Sequence, residues 1–360
     1  MQKIKAAVCH RFGEPLSVED VLLRDAGHGE VQVTLEASAI CHSDISYAGG
    51  GWGGVLPAVY GHEAAGRITG LGDGVAGYDM GDPVIVTLVR SCGTCPSCAT
   101  AGPAYCETPY DRTTGPLQTL EGGMLEHGVS CGAFAEKVTV HHSQIARLPE
   151  TMPMDSASLL SCGVITGVGA VVNKANVRPG QVVVVIGAGG VGLNAIQGAR
   201  IAGASRIIAV DMTQDKLDAA REFGATDGVL ATDPAPWETA FAIAGRGADA
   251  VFVTVGAIPA YDAAPKYLAT RGQVVMVGMT HTDQFSSYEP VEVAGAGQNL
   301  IGTKMGDVVL ARDIPWMIDL YQQGRLKLDE LISGRWSLDQ INEAIADTKS
   351  GAARRNVIIF

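Results

Sequence analysis

The sequence predicts an α/β protein that combines a doubly wound parallel sheet with a second, β-rich part. The first observation is that the β-branched apolar run 182–186 passes directly into a glycine-rich turn at 187–192. The second is that apolar strand patterns alternate with helical patterns from 154 to about 303, which is typical of βαβ units. The third is that short alternating strands, interrupted by Gly and Pro, occupy residues 3 to about 150.

Individual elements follow from the period of the apolar residues. Alternation with a period of two or a short apolar run predicts a strand, and a period near 3.6 predicts a helix. Strands are predicted at 31–37, 82–88, 182–186, 206–211, 251–255, 274–277 and 356–360, and helices at 217–223, 314–321 and 338–348.

Length and composition restrict the classes of protein. A chain of 360 residues with 47% hydrophobic residues is expected to divide into two domains. The net charge of −12, without clustered Lys and Arg, argues against nucleic acid as a partner. We find neither an apolar signal segment nor a membrane-length apolar run, so we expect a cytoplasmic protein whose eight cysteines are reduced.

The turn Gly187-Ala188-Gly189-Gly190-Val191-Gly192 has the spacing of a dinucleotide-binding motif. Gly187 allows the sharp turn, Gly189 allows the backbone to approach a pyrophosphate, and Gly192 allows the helix to pack closely on its strand. Because a helix N-terminus attracts anions, the sequence predicts a pyrophosphate site here and a Rossmann-type sheet around it.

Asp211 supplies the acidic residue that this motif requires after the second strand. A carboxylate at the end of strand 206–211 can accept hydrogen bonds from ribose hydroxyls, and it repels a 2′-phosphate. The sequence therefore favours NAD over NADP.

Four cysteines, Cys92, Cys95, Cys98 and Cys106, lie within fifteen residues. Four convergent thiolates suit a closed tetrahedral zinc site that holds a loop. An iron–sulfur cluster is the rival interpretation, but its bacterial motif continues with three residues before the fourth cysteine, whereas here there are seven. The spacing favours structural zinc.

Three further potential ligands, Cys41, His62 and Cys162, are scattered along the sequence. Two cysteines and a histidine form one of the ligand sets that leave a fourth zinc position open for water or substrate. Cys9 and Cys131 have no such context, and we interpret them as small buried hydrophobic residues.

With these motifs in place, the sequence resembles the zinc-dependent medium-chain alcohol dehydrogenases along its whole length, nearest to the aryl-alcohol and formaldehyde dehydrogenases. The resemblance implies a GroES-like catalytic domain at 1–163, an NAD-binding Rossmann domain at 164–304, and a return segment at 305–360 that completes the catalytic domain. It also implies one catalytic zinc and one structural zinc per chain, with the active site in a cleft between the domains.

The resemblance implies roles for several residues. Ser43 contacts the alcohol and relays its proton, Glu63 is a carboxylate beside the zinc, and Asp44 orients His62. Four further residues are expected to contact the cofactor: His42 and Arg355 at the pyrophosphate, Thr166 at the nicotinamide, and Lys216 at the adenosine ribose. Many members of the family pass the proton onward through a histidine where this chain has Ser46, so the outer relay falls to His42 or water.

The expected reaction is hydride transfer between a primary alcohol, or its aldehyde, and NAD. The alternative is a glutathione- or other thiol-dependent formaldehyde dehydrogenase, with Arg90 and Arg112 at the pocket mouth; a secondary-alcohol or polyol dehydrogenase, or a zinc-free quinone reductase, is less favoured. The long segment 107–132 resembles dimeric members of the family, so a homodimer is expected.

Overall fold

A computed structural model describes residues 1–100, 102–109 and 114–360. These residues form two compact units. The first unit contains Met1–Cys162, Val309–Gly324 and Leu328–Phe360, and the second contains Gly163–Val308 and Arg325–Lys327. The boundaries expected from the sequence lay at 163/164 and 304/305, without the short excursion at 325–327.

Strands and helices of the described residues are numbered in chain order. The strands are β1 (Gln2–Cys9), β2 (Ser17–Leu23), β3 (Glu30–Ala39), β4 (Ala58–Val59), β5 (Glu63–Leu71), β6 (Pro83–Thr87), β7 (Leu117–Gln118), β8 (Met124–His127), β9 (Lys137–His141), β10 (Ile145–Arg147), β11 (Val182–Ile186), β12 (Arg206–Asp211), β13 (Asp227–Leu230), β14 (Ala248–Val253), β15 (Leu268–Met276), β16 (Asn299–Gly302), β17 (Ile332–Ser337) and β18 (Arg355–Ile359). The helices are α1 (His42–Ala48), α2 (Pro96–Ala99), α3 (Met154–Ser158), α4 (Gly163–Gly169), α5 (Gly190–Ile201), α6 (Gln214–Phe223), α7 (Pro236–Ala244), α8 (Ile258–Ala263), α9 (Pro290–Gly295), α10 (Leu310–Gln322) and α11 (Ile341–Ser350).

The first unit is rich in β structure. Strands β1, β2, β7, β8 and β4 close into a barrel in that order. Its interior is filled by apolar side chains, among them Leu23, Leu125 and Phe134, each at most 1% exposed. Short alternating strands bury one face of each strand, which is why the sequence pattern predicted this part as β-rich.

The C-terminal segment of the chain completes the first unit. A second sheet has the order β10, β6, β5, β3, β18, β17, with β9 also paired to β3. The last strand, β18, pairs antiparallel with β3, so that Val357 faces Ala39. The end of the chain thus lies beside a strand from its beginning, which makes the first unit discontinuous in sequence.

The second unit is a six-stranded sheet of order β13, β12, β11, β14, β15, β16. Every neighbouring pair in it is parallel. The strand pattern predicted β11 and β12 with the bounds that the structure shows, because β-branched runs buried on both faces are continuous in sequence. The predicted doubly wound α/β fold class with a β-rich second part is confirmed.

Gln197 explains why Arg325–Lys327 belongs to the second unit. Its buried side-chain amide donates to the carbonyl oxygen of Lys327 at 3.0 Å and accepts from the N–H of the same residue at 2.7 Å. Arg200 also donates to the carbonyl of Arg325, and Lys327 Nζ donates to that of Glu222. Such contacts leave no periodic signal in the sequence.

Helix α10 begins four residues before its predicted start at 314. The predicted start followed the period of the apolar residues alone. In the structure, the Asp313 carboxylate accepts from the N–H of Val309 at 2.9 Å and caps an additional turn.

In the described part of the chain, no single helix has both the length and the hydropathy needed to cross a membrane. One bent pair, Met154–Ser161 with Gly163–Lys174, meets these criteria by length and composition alone. That pair is weak evidence, because buried core helices meet the same criteria.

Candidate functional site

Cys41 lies where β3 leads into helix α1. It is the N-cap residue of α1, in an extended conformation, and only 6% exposed. The Asp44 carboxylate in the first turn accepts from the N–H of Cys41 at 3.2 Å. This reciprocal capping arrangement fixes the position of the thiol relative to the helix.

His62 and Glu63 follow a turn that requires glycine. Gly61 has a φ of +96°, and a Cβ there would lie 2.5 Å from the backbone N of Phe134. Asp44 also accepts from the Gly61 N–H at 2.9 Å, and it lies 2.8 Å from His62 Nδ1. The buried carboxylate therefore joins helix α1 to the turn that carries His62.

Cys162 ends the turn that follows α3. The preceding residue, Ser161, is held on both sides: its carbonyl accepts from Thr87 Oγ1 at 2.6 Å, and its hydroxyl donates to the Ala64 carbonyl at 3.0 Å. These bonds attach the turn to β6 and β5, so that Cys162 meets the residues at the start of β5.

The structure brings Cys41, His62, Glu63 and Cys162 together. One ligand atom from each lies within 4.8 Å of every other, and all four residues are buried. The buried atom His62 Nε2 has no hydrogen-bond partner among the described residues. Because buried polar atoms are normally satisfied, this set fits a metal ion that uses the thiolates and Nε2.

Asp44 also selects the histidine tautomer that a metal requires. A proton on His62 Nδ1 can be donated to Asp44 Oδ1 at 2.8 Å, which leaves the Nε2 lone pair facing the cluster. This is the orienting role that the resemblance implied for Asp44.

The protonation states of the cluster are strongly coupled. A hydrogen bond from the Cys162 thiol, together with attraction to His62, lowers the pKa of Cys41 well below its ordinary value despite burial. The same hydrogen bond and burial raise the pKa of Cys162. Burial also raises the pKa of Glu63 to about 7, against the effect of Arg355. A metal that binds both thiolates would therefore release a proton.

Arg355 was expected at the cofactor's pyrophosphate, and the structure shows that it also has a partner within the first unit. It is 5% exposed, and its guanidinium contacts the carboxylate of Glu63, which is fully buried. A buried guanidinium needs an anionic partner, since an isolated charge is expensive to remove from water. The structure thus assigns Arg355 to the Cys41–His62–Cys162 cluster, as the partner of Glu63.

The second cysteine set also converges. The sulfur atoms of Cys92, Cys95, Cys98 and Cys106 lie within 4.8 Å of one another, in half-buried positions. Backbone N–H groups point at the sulfurs: that of Cys95 lies 3.3 Å from Cys92 Sγ, and that of Cys92 lies 3.3 Å from Cys106 Sγ. A hydrogen bond from the side chain of Thr108, aided by backbone N–H groups, lowers the pKa of Cys92 to about 5. Donors that favour thiolates suit a structural zinc site.

The expected proton-relay residues lie on α1. Ser43 and Ser46 are half-buried, and His42 is exposed. Of the two arginines expected at the pocket mouth, Arg90 is half-buried, and Arg112 lies outside the described residues.

The glycine-rich turn has the geometry that its sequence predicted. Gly187 has a φ of +98°, and a Cβ on Gly192 would lie 1.8 Å from the carbonyl oxygen of Gly187. A Cβ on Gly189, by contrast, would meet no atom within 4 Å, so this face of the turn is open. Helix α5 starts after Gly189 without a side-chain cap, which leaves its first N–H groups for an anion.

Asp211 ends β12 beside this turn. Its carboxylate accepts from the N–H of Ala188 at 2.6 Å and from that of Met212 at 2.7 Å. It therefore supports the turn in addition to any contact with ribose. Lys216 is half-buried on α6, and Thr166 is buried on α4, where its hydroxyl lies 3.7 Å from Met305 Sδ.

Thr254 supports the glycine-rich turn, although its sequence pattern did not predict this role. Its hydroxyl lies within 3.0 Å of the carbonyl oxygens of both Ile186 and Gly187, so it fixes the end of β11. The available signal was a hydroxyl residue directly after β14, which is the parallel neighbour of β11.

Comparisons with known proteins agree with this geometry. Residues 27–150 match the family model described as alcohol dehydrogenase GroES-like domain, and residues 190–323 match zinc-binding dehydrogenase. The chain is 33% identical over 370 aligned positions to an NDMA-dependent alcohol dehydrogenase of Amycolatopsis methanolica, with 99% of each chain covered.

Two solved structures are similar over their full length. One is an alcohol dehydrogenase zinc-binding domain protein from Burkholderia ambifaria, with a TM-score of 0.95, 31% identity, and coverage of 100% of this chain and 99% of that one. The other is a benzyl alcohol dehydrogenase from Acinetobacter calcoaceticus, with a TM-score of 0.94, 28% identity and full coverage of both chains. The predicted membership is confirmed: this chain belongs to the zinc-dependent medium-chain alcohol dehydrogenase family.

Proposed function

We propose that this protein transfers hydride between a primary alcohol, or its aldehyde, and NAD, with zinc at Cys41, His62 and Cys162. The observation that carries the proposal is the buried ligand set, with His62 Nε2 unpartnered and Nδ1 held by Asp44. When bound, zinc supplies a Lewis acid that lowers the pKa of an alcohol, and NAD supplies the nicotinamide that accepts hydride.

The residues of α1 perform the proton step in this proposal. Ser43 is half-buried and lies two positions after Cys41, and its hydroxyl is proposed to take the proton of the alcohol. Asp44 lies at hydrogen-bond distance from His62 Nδ1 and accepts from the Gly61 N–H, and so preserves the geometry of the site during the transfer. His42, exposed in the same first turn, is proposed to pass the proton to water in place of the histidine that Ser46 replaces.

The open turn and Asp211 support NAD as the cofactor. Gly189 to Gly192 and the N-terminus of α5 suit a pyrophosphate, while the Asp211 carboxylate disfavours a 2′-phosphate. Thr166 and Lys216 remain proposed contacts to the nicotinamide and the ribose.

Asp211→Asn is expected to shift the cofactor preference toward NADP. The amide removes the negative charge but keeps an oxygen that can accept from the N–H of Ala188. We expect NADPH affinity to rise about tenfold and NADH affinity to fall by about the same factor, which corresponds to about 1.4 kcal/mol each. The dissociation constants of both reduced cofactors are measured by fluorescence titration, with the exposed Asp215→Asn as control. Unchanged NADPH affinity in Asp211→Asn would contradict the proposed role.

The proposed activity is tested by metal analysis and NADH formation with the purified protein. Primary aliphatic, aromatic and secondary alcohols are compared, and formaldehyde is supplied with and without glutathione. We expect turnover of primary alcohols, benzyl alcohol included, as the benzyl alcohol dehydrogenase neighbour suggests. Activity confined to formaldehyde plus thiol would favour the thiol-dependent alternative, and a zinc-free active protein would refute the proposal.

The NDMA-dependent relative motivates a second candidate, in which turnover needs NDMA as well as the nicotinamide cofactor. The same assay separates the two candidates when it is repeated with NDMA. If alcohol is consumed only with NDMA, the second candidate is favoured; if NADH accumulates without NDMA, the first is.

We also propose that the protein is a cytoplasmic homodimer, paired through the second unit. Strand β16 is an edge strand of the described sheet, and nearby Phe285 and Val291 are 84% and 73% exposed. An unpaired edge beside exposed apolar side chains is a typical surface for a second copy. Eight free cysteines fit a reducing compartment. Sedimentation velocity is expected to give twice the chain mass of 37.3 kDa.

A further inference from the structure

The first unit contains a cavity that lies outside the Cys41–His62–Cys162 cluster. Its volume is about 190 Å³, and it is bounded by α1, by the segment between β1 and β2, and by α11. An apolar cavity of about 150 Å³ accommodates one benzene ring, so this volume suits a single ring, or a short aliphatic chain, with one small polar group.

The walls of the cavity are mainly apolar. Leu16, Ile45, Ala48 and Ile345 line it, and each belongs to or packs against the hydrophobic core of the barrel. On α11, the lining residues follow the spacing of one helix face, so that Ile345 and Lys349 lie one turn apart. An occupant with an apolar body can therefore be desolvated on several sides.

Hydrogen bonds hold the walls in place. The side chain of Asn342 accepts from the N–H of Leu16 at 2.8 Å and donates to the carbonyl of the same residue at 2.9 Å. The N–H of Gly13 donates to the Ala48 carbonyl at 2.8 Å. The segment between β1 and β2 is thus fixed to both helices, which makes the cavity preformed and lowers the cost of binding.

Charge at the mouth selects the ligand's polar group. Glu14 is paired with Arg11, whose Nη1 lies 3.6 Å from its carboxylate. Lys349 is exposed and forms no ion pair or hydrogen bond within the described part of the chain. The uncompensated charge beside the apolar walls is therefore positive.

We propose that this cavity binds a small monocarboxylate with an apolar body, such as an aromatic or short-chain aliphatic acid. The carboxylate pairs with Lys349, and the body lies against Leu16, Ile45 and Ile345. The occupant would contact α1, the helix whose first turn carries Ser43 and Asp44, without meeting the Cys41–His62–Cys162 cluster.

The proposal is tested with benzoate by isothermal titration and ligand-observed NMR on the full-length protein. Saturable binding is expected with a dissociation constant of about 1 mM or lower. Ala346→Phe should abolish binding, because residue 346 is an exposed lining position where a ring can fill the cavity without entering the core. Lys349→Met should weaken binding about threefold to fivefold, as expected for an exposed ion pair, while Lys349→Arg should retain it.

Two further probes test the selection by charge. Benzamide is expected to bind as weakly to the wild type as benzoate binds to Lys349→Met, and benzylamine is expected not to bind. The proposal is overturned if benzylamine binds as tightly as benzoate, if no saturable binding occurs below about 10 mM, or if Ala346→Phe leaves benzoate binding unchanged. The last result would place the acid elsewhere, for instance at the metal cluster. None of these measurements requires alcohol turnover, so they stand apart from the test of the proposed function.

Discussion

Replacing Cys41 or His62 with alanine is expected to lower alcohol turnover by more than about a thousandfold, since Lewis-acid catalysis by a metal supplies several kcal/mol of transition-state stabilisation. Each change removes one of the three proposed zinc ligands from a buried set. The measurement is the rate of NADH formation, together with the zinc content by mass spectrometry. Zinc should fall from roughly two ions per chain to roughly one.

Two controls make the result specific. Cys9→Ala removes a buried cysteine outside both clusters, so it should keep both metals and near-wild-type turnover. NADH binding should survive in all three variants, because the glycine-rich turn belongs to the second unit and the changed residues to the first. Wild-type turnover by a His62→Ala protein that has lost a zinc ion would refute the catalytic role of this cluster.

Much of the fold was predictable because its signals are local. The β-branched run of β11 and the acidic end of β12 are continuous in sequence, and the structure reproduces their bounds. Strands β4 and β7 are two residues long, too short for any period to be recognised. The start of α10 escaped prediction because it depends on the capping carboxylate of Asp313 rather than on an apolar pattern.

The site was predictable in its residue types but less so in its contacts. Cysteine and histidine are the side chains that most often bind zinc, so Cys41, His62 and Cys162 could be considered as ligands from the sequence. That they meet depends on the turn at Gly61 and on the hydrogen bonds of Ser161, which only the folded chain shows. Their joint selection therefore relied on the resemblance to a known family.

The contact between Arg355 and Glu63 could not be predicted from the sequence. Arg355 begins β18, the C-terminal strand that lies beside β3 in the sheet, and its partner Glu63 begins β5 on the other side of β3. No spacing in the sequence relates residues from opposite ends of the chain. The pairing arises from the strand order, and so does the burial of both charges.

Arg355→Met is consequently expected to destabilise the first unit by about 3 to 5 kcal/mol, since removing one partner leaves a buried charge uncompensated. Glu63 would then lie fully buried beside the Cys41 sulfur without the guanidinium that holds down the pKa of its carboxyl group. The measurement is urea-induced unfolding of the metal-loaded protein, followed by tryptophan fluorescence, to which Trp336 contributes from its place against the barrel core of the first unit. Zinc content is recorded in parallel.

A double variant separates this role from a contact with the cofactor. Glu63→Gln combined with Arg355→Met removes both charges, so it should recover much of the stability that the single variant loses, because the amide carries no charge to compensate. An arginine that acted only on the pyrophosphate would behave differently: Arg355→Met would then weaken NADH binding and leave unfolding unchanged, and Glu63→Gln would restore nothing. Loss of stability in the single variant, with recovery in the double variant, would establish that Arg355 balances the charge of Glu63 in the metal cluster. This contact between the two residues is brought about by the order of the strands rather than by any sequence motif.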